Sequence, residues 1–299
     1  MSIAFVKDMT VAYGAVEQVS PLIRRVLARN PGPFTFHGTG TYIVGRGRVA
    51  IIDPGPALDE HVEAVLAAVA GETVSHLLIT HTHCDHSPAA AVMAARTGAV
   101  TCGFGPHGGG NDRAGAVEEG ADHDFSPALT LADGDATAGP GWTLTAVHTP
   151  GHTSNHLCFA LAEEGALFSG DHVMGWSTTV IVPPDGDMAA YVASLRRLLD
   201  RDETIHWPTH GPPIRAPKPH LRALITHRRL RERQILYRLA VGIDTVPALV
   251  AAIYADIPQR LRPAAGRCVL AHLIDLAARG KVTTEGSPGL DGKFALAPS

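Results

Sequence analysis

The sequence lacks the features of a membrane or secreted protein. No apolar run approaches the ~20 residues that a membrane-spanning helix needs. The N-terminus MSIAFVKDMTVAYGAVEQ has neither the basic head nor the apolar centre of a signal peptide. We therefore expect a cytoplasmic protein that has no membrane contact.

Cysteine and aromatic residues are also scarce. The four cysteines, Cys84, Cys102, Cys158 and Cys268, are scattered without a C-x-x-C pair, so we expect reduced thiols and no disulfide framework. Aromatic residues make up 5% of the chain, which leaves few platforms on which nucleic-acid bases could stack.

The charge divides the chain into two parts. Residues 1–212 carry 11 Lys and Arg against 23 Asp and Glu, whereas residues 213–299 carry 14 against 6. The net charges of −12 and +8 indicate different electrostatic roles for the two parts. We predict a larger domain over residues 1–212 and a small basic domain over residues 213–299.

Hydrophobic patterning predicts an α/β (α+β) fold for the first part. Two β-rich runs at 41–45 and 49–53 predict a hairpin, and helical and strand patterns alternate from residue 58 to residue 102. Further strands are predicted at 142–148, 157–159 and 166–169, followed by a helix at 188–199.

The second part has the pattern of a winged helix. Five prolines between Pro208 and Pro219 predict a stiff connection. Helices are then predicted at 220–240, 246–254 and 263–279, with a small hairpin formed by residues 281–284 and 293–296.

Ligand-type side chains are crowded into the stretch ITHTHCDHSP, residues 79–88. His81, His83, Asp85 and His86 follow an apolar strand pattern, and imidazole and carboxylate are groups that zinc accepts. One cluster cannot complete two metal sites. Three more candidates, His152, Asp171 and His210, also follow predicted strands or turns.

These motifs carry a family resemblance. H-x-H-x-D-H at 81–86, T-P-G-H-T at 149–153, S-G-D at 169–171 and T-H-G at 209–211 occur in this order, with Asp53 ending an early strand. Together they resemble the metallo-β-lactamase-fold hydrolases. The resemblance implies an αββα metallo-β-lactamase sandwich with its metal loops along one edge.

The resemblance also implies roles for the ligand-type residues. His81, His83 and His152 would bind a first metal ion, Asp85, His86 and His210 a second, and Asp171 would bridge both, while Asp53 would orient the ligands. We expect two divalent ions, most naturally Zn²⁺, although iron and manganese suit the same groups. A hydroxide between the ions would attack the substrate, and Asp85 is the candidate catalytic proton acceptor.

Departures from other branches favour hydrolysis. Diiron members usually carry an acidic residue where this chain has His83, and single-iron dioxygenases lack the full second set of ligands. The histidine-rich β-lactamases lack the bridging aspartate, so Asp171 argues against antibiotic defence.

The arginine-rich helix at 220–240 sets the alternatives for function. Its arginines predict either nucleic-acid contact, with Arg228, Arg229 and Arg231 as candidates, or docking on the acidic first domain. The helix motif resembles the subgroup with a C-terminal winged-helix-like domain, which includes a mitochondrial endoribonuclease acting on single-stranded RNA.

Three functions follow from these observations. The first is hydrolysis of an ester-type bond, with single-stranded RNA as the phosphodiester substrate. The second is hydrolysis of a small-molecule thioester, ester or lactone, with the basic domain as a lid or homodimer contact and the loop at 103–110 shaping the mouth. The third is a non-catalytic ligand-sensing or nucleic-acid-binding module.

Several residues near the motifs have two interpretations. Residues 176–187 form either a substrate pocket or a turn in which Asp187 caps a helix. We expect His37, His148 and His172 to be scaffold residues, Cys84 to pack structurally, and the Asp122-His123-Asp124 triplet to lie in a solvated loop.

Overall fold

The computed structural model describes residues 3–108 and 120–298. Residues 109 and 110 of the predicted mouth loop lie outside the described residues. Within those two ranges, no helix combines the length and the apolarity needed to cross a membrane.

The first sheet has seven strands, arranged in the order of the chain. They are β1 (Val16–Gln18), β2 (Ile23–Leu27), β3 (Gly40–Arg46), β4 (Arg48–Ile52), β5 (Thr73–Leu78), β6 (Val100–Gly103) and β7 (Leu129–Thr130). Neighbours from β1 to β4 are antiparallel, whereas β4 to β7 are parallel. Parallel neighbours require crossover connections, and α1 (Asp59–Ala68) and α2 (Ala89–Thr97) supply the first two.

The second sheet has five strands in the order β12-β11-β10-β9-β8. They are β8 (Ala136–Gly139), β9 (Trp142–His148), β10 (Leu157–Leu161), β11 (Ala166–Gly170) and β12 (Ile205–Pro208), and α3 (Met188–Leu199) lies between β11 and β12 in the chain. Strands β11 and β12 are parallel, and the other pairs are antiparallel.

Apolar side chains join four layers. Tyr42, Trp142 and Phe168 belong to one buried cluster, to which both sheets contribute side chains. The outer face of the first sheet packs on α1 and α2, and the outer face of the second packs on α3. This arrangement is the predicted αββα sandwich.

The second part of the chain has the predicted winged-helix elements. They are α4 (Pro217–Ala240), α5 (Val246–Ile253), α6 (Arg262–Ala278) and the antiparallel hairpin of β13 (Val282–Thr284) and β14 (Phe294–Leu296). Helix α4 packs in both parts, because Leu221 and Leu224 join the core around α3 whereas Ile235 and Leu239 join the core around α5 and α6.

The connection and strand β2 are among the features that differ from the prediction. Pro208 ends β12 and Pro217 begins α4, so the irregular part of the connection is limited to residues 209–216. Strand β2 was not predicted because Arg24 and Arg25 break its apolar pattern. Both arginines are buried, and they pair with Glu72 and Glu17 at 2.6 Å.

Candidate metal centre

The seven predicted ligands lie beyond the C-terminal ends of four strands. His81 to His86 follow β5, His152 follows β9, Asp171 follows β11 and His210 follows β12. Strands β9, β11 and β12 run in the same direction, so their C-terminal ends share one edge of the second sheet. The sheets pack face to face, and this edge meets the loop after β5.

One group of ligand atoms consists of three imidazole nitrogens. His83 Nδ1 lies 3.0 Å from His81 Nε2 and 3.2 Å from His152 Nε2. All three atoms lie within 4.8 Å of one another. This spacing suits three nitrogens that bind one tetrahedral zinc ion.

A second group combines imidazole with carboxylate. Asp85 Oδ2 lies 3.0 Å from His210 Nε2 and 3.4 Å from His86 Nε2. Asp171 Oδ2 is 3.4 Å from His210 Nε2, 3.7 Å from His86 Nε2 and 4.0 Å from His152 Nε2. Asp171 therefore lies between the two groups.

The state of these side chains fits bound cations. Burial lowers the pKa of His81, His83 and His152, which keeps their imidazoles neutral and their lone pairs free. His86 Nε2 and Asp171 Oδ1 are buried without a hydrogen-bond partner. Buried polar atoms normally have partners, so a metal ion is a suitable occupant here.

The carboxylates of Asp85 and Asp171 raise the pKa of His210 in the second group. Burial alone would lower the pKa of His210, but Asp171 and Asp85 raise it to about 10. The pocket thus favours positive charge near its two buried carboxylates, and a divalent cation can supply that charge in place of protons.

Asp53 fixes the orientation of His86. Its fully buried carboxylate accepts hydrogen bonds from His86 Nδ1 at 2.9 Å, Thr80 Oγ1 at 2.9 Å, Thr209 Oγ1 at 2.7 Å and the Thr80 backbone N–H at 2.8 Å. Asp53 adopts a φ of 47°, a left-handed conformation in which Asp is enriched. With Nδ1 occupied, His86 presents Nε2 to the second group.

Backbone carbonyls orient two other imidazoles in the same way. His152 Nδ1 lies 2.8 Å from Val180 O, and His210 Nδ1 lies 3.2 Å from Gly38 O. In both residues Nε2 is left facing the ligand groups. The fold therefore preorganises the ring positions before any ion binds.

Sequence reasoning missed the threonines that hold Asp53. Thr80 directly precedes His81, and Thr209 directly precedes His210. A threonine immediately before a ligand histidine was therefore a visible sequence signal for these two residues. It also missed His156, which is fully buried and stacks on His81 with ring centroids 5.2 Å apart.

The segment 176–187 connects the centre to the C-terminal helices. Its Thr179 Oγ1 donates to Asp171 O at 2.7 Å. The Arg228 guanidinium of α4 donates to Thr179 O, and the backbone N–H of Ile181 donates to Cys268 Sγ of α6 at 3.3 Å. Helices α4 and α6 thus hold the segment that orients His152 and Asp171.

The position of Arg228 bears on one prediction. Its side chain is 3% exposed and its guanidinium lies 5.0 Å from the centre of the Tyr191 ring, so little of its surface is open to a nucleic acid. Arg229 is exposed, and Arg231 is half-buried over the Tyr254 ring. Nucleic-acid contact by Arg229 and Arg231 stays a prediction.

The remaining candidates near the motifs contact other parts of the protein. Asp187 caps α3 by accepting from the Ala190 N–H at 2.8 Å, which is one of the two interpretations of segment 176–187. Phe36 stacks on Trp176 at 4.7 Å and also contacts the ring of His37. His148 stacks on Phe104 as a scaffold residue, and His172 is fully buried.

The triplet at 122–124 lies in a loop, as expected, and is partly solvated: Asp122 and His123 are half-buried and Asp124 is exposed. Asp122 accepts a hydrogen bond from Ser87 Oγ at 2.6 Å, and His123 contacts His107 edge to face at 5.2 Å. These two contacts were not predicted.

Two family models match this chain. The model of the metallo-beta-lactamase superfamily matches residues 35–210. This chain belongs to that superfamily. A second model, that of the beta-lactamase associated winged helix domain, matches residues 245–292 of the same superfamily member.

Relatives match over most of this superfamily member. It is 31% identical over 300 residues to the lactamase-like protein adaB of Aspergillus niger, covering 95% of this chain and 89% of that protein. It is 34% identical over 261 residues to the atrochrysone carboxyl ACP thioesterase of Claviceps purpurea, covering 81% of this chain and 74% of that protein. The family and these relatives identify an enzyme of the hydrolase class.

Solved structures share the fold of this superfamily member over nearly its whole length. A beta-lactamase domain protein from Burkholderia ambifaria has a TM-score of 0.79 and 20% identity, covering 97% of this chain and 96% of that one. A metallo-beta-lactamase family protein from Thermus thermophilus has a TM-score of 0.74 and 22% identity, covering 93% of this chain and 100% of that one.

Proposed function

We propose that this enzyme is a thioesterase that hydrolyses an acyl group carried on an acyl carrier protein. The observation that carries the proposal is the 34% identity, over 81% of the chain, to a relative named a carboxyl ACP thioesterase. A second relative with a thioesterase name, from Paecilomyces divaricatus, is 34% identical over 75% of the chain.

We assign the seven ligand-type residues to two metal ions. His81, His83 and His152 would hold one, Asp85, His86 and His210 the other, and Asp171 would contact both, with zinc suiting this donor set best. Two divalent ions, if bound there, would lower the pKa of a bound water and would polarise a carbonyl oxygen.

The chain's own groups complete the chemistry. In thioester hydrolysis, water adds to the carbonyl carbon, the C–S bond breaks, and a carboxylic acid and a thiol are released. Asp85 is the candidate acceptor for the proton of water, because its carboxylate oxygen lies within the second group, 3.0 Å from His210 Nε2 and 3.4 Å from His86 Nε2. A thiol has a pKa of ~8.5, so it departs as a thiolate without a strong acid.

The structure offers less support to cleavage of single-stranded RNA. Arg228 faces the protein interior instead of solvent. Tyr254 is one of two aromatic residues between residues 213 and 280, and it carries the Arg231 guanidinium at 4.4 Å from its ring centre. The phosphodiesterase hypothesis is therefore the competing outcome of the experiment below.

The test is a substrate panel with purified, zinc-loaded protein. We expect release of free thiol from acyl thioesters of a carrier protein and of N-acetylcysteamine, followed with a thiol-reactive dye. His83→Ala should lose this turnover together with bound metal, whereas His76→Gln, a histidine outside the ligand groups, should retain both. Faster turnover of single-stranded RNA or bis(p-nitrophenyl) phosphate than of every thioester would overturn the proposal.

A further inference from the structure

A cavity of about 470 Å³ lies between α3, α4 and α6, apart from the ligand groups. Met188, Ala189 and Val192 of α3 form an apolar wall. Charged and polar residues form the remainder: Arg196, Arg228, Arg229, Glu232, Arg233, His272, Asp275 and Arg279.

The charge of this cavity is positive. Five arginines line it against two acidic residues, and both acidic residues pair with Arg279 at 2.8 Å. Arg196, Arg229 and Arg233 are exposed, and within residues 3–108 and 120–298 their side chains make no hydrogen bond or ion pair. Three guanidinium groups are therefore free to receive an anion.

Two buried residues of the lining add independent support. Arg228 is 3% exposed, and its Nε has no hydrogen-bond partner. Its guanidinium donates to a backbone carbonyl, that of Thr179, and it contacts no carboxylate among the described residues. His272 is 2% exposed, and its Nε2 also has no partner. A buried cation without a counter-charge is costly, so an anionic ligand would stabilise this cavity.

The lining of the cavity is linked to the candidate metal centre. Met188 follows directly after the segment 176–187, which holds His152 and Asp171. Arg228 donates to Thr179 O, and the hydroxyl of Thr179 donates to Asp171 O. One residue, Thr179, therefore joins a lining arginine to a ligand-type carboxylate.

We propose that this cavity binds the phosphate of a phosphopantetheine arm, the group through which carrier proteins and coenzyme A hold acyl thioesters. The inference rests on the proposed thioesterase function. Guanidinium groups bind phosphate oxygens in a matching, bidentate geometry. The apolar wall of α3 would contact the methyl groups of the pantoyl unit.

The binding test uses the full-length protein and defined probes. Calorimetry would measure coenzyme A, pantetheine without phosphate, inorganic phosphate, and a carrier protein with and without its phosphopantetheine arm. We expect Arg229→Gln/Arg233→Gln to weaken coenzyme A and the armed carrier at least tenfold and to leave pantetheine and the arm-free carrier unchanged. Arg260→Gln, an exposed arginine of the same domain outside the cavity, is the matched control.

Carrier protein and coenzyme A are distinguished by the same titrations. Tighter binding of the armed carrier than of coenzyme A identifies the carrier as the source of the phosphate, and the reverse identifies coenzyme A. Equal effects of the double variant on coenzyme A and on pantetheine would overturn the inference.

Kinetics separate this inference from the proposed function. We expect the double variant to raise KM at least tenfold for an acyl-coenzyme A and to leave KM unchanged for the N-acetylcysteamine thioester, which has no phosphate. Thioesterase activity with no such difference would contradict the phosphate site alone. Variant-sensitive coenzyme A binding without any thioester turnover would contradict the thioesterase proposal alone.

Discussion

Replacing Asp53 by Asn tests how the fold orients the second group of ligands. Asn keeps the shape of Asp and tolerates the left-handed backbone at φ 47°, so the change is confined to the carboxylate. Oδ2 of Asp53 accepts from His86, Thr80 and Thr209, whereas Oδ1 accepts from the Thr80 N–H. The amide oxygen of Asn can replace only one of these atoms.

The loss of these hydrogen bonds sets the expected cost of the substitution. If the amide oxygen takes the place of Oδ2, the NH₂ group faces the Thr80 N–H, which leaves a buried donor unpaired at a cost of about 1–3 kcal/mol. The hydrogen bond to His86 also loses its ionic character. Loss of such a supporting group costs about 10–100-fold in metal affinity, or about 1.4–2.8 kcal/mol.

The assay is a zinc titration against a chromophoric chelator. We expect the weaker of two binding steps to shift 10–100-fold in Asp53→Asn and the tighter step to shift less than about threefold, because Asp53 contacts His86 directly and none of His81, His83 and His152. Thr209→Val removes one donor and is the milder control. Unchanged affinity at both steps, with unchanged turnover, would refute the reasoning.

Three further predictions concern the same framework. Arg228→Met should lower metal retention against a chelator about tenfold, because Thr179 loses its partner in α4, and retention equal to wild type would contradict this role. Gly151→Ala should lower the free energy of unfolding, measured in urea, by about 3 kcal/mol, because the new Cβ would lie 2.3 Å from Tyr191 Cα. Gly71→Ala is the control for the backbone cost, because Gly71 also has a positive φ but a Cβ added there would meet no atom within 4 Å. Dialysis against a chelator should lower the thermal midpoint, and zinc at 100 times its Kd should restore about 2.7 kcal/mol; an unchanged midpoint would contradict metal-linked stability.

The regular elements were predictable because their patterns are local. Apolar spacing predicts α3 at the residues where the structure has it, and it predicts β9 to the residue. Strand β2 escapes prediction because its buried arginines are neutralised by Glu17 and Glu72, and the pairing with Glu72 depends on the tertiary fold.

The residues of the candidate site also differ in how far they could be predicted from local sequence. His81, His83, Asp85 and His86 lie within six residues, so local spacing reveals them. The roles of Thr179, the Val180 carbonyl and Arg228 depend on a helix that is distant in sequence and packs behind the centre. A hydrogen bond between residues 49 positions apart leaves no periodic signal in one sequence.

We propose that seven side chains from four strand ends bind two cations. Anomalous diffraction at the zinc edge, on crystals of the zinc-loaded protein, tests it most directly. We expect two peaks about 3.5–4 Å apart, one beside His81, His83 and His152 and the other beside Asp85, His86 and His210, with Asp171 between them. A single peak, or peaks that avoid these residues, would contradict the account.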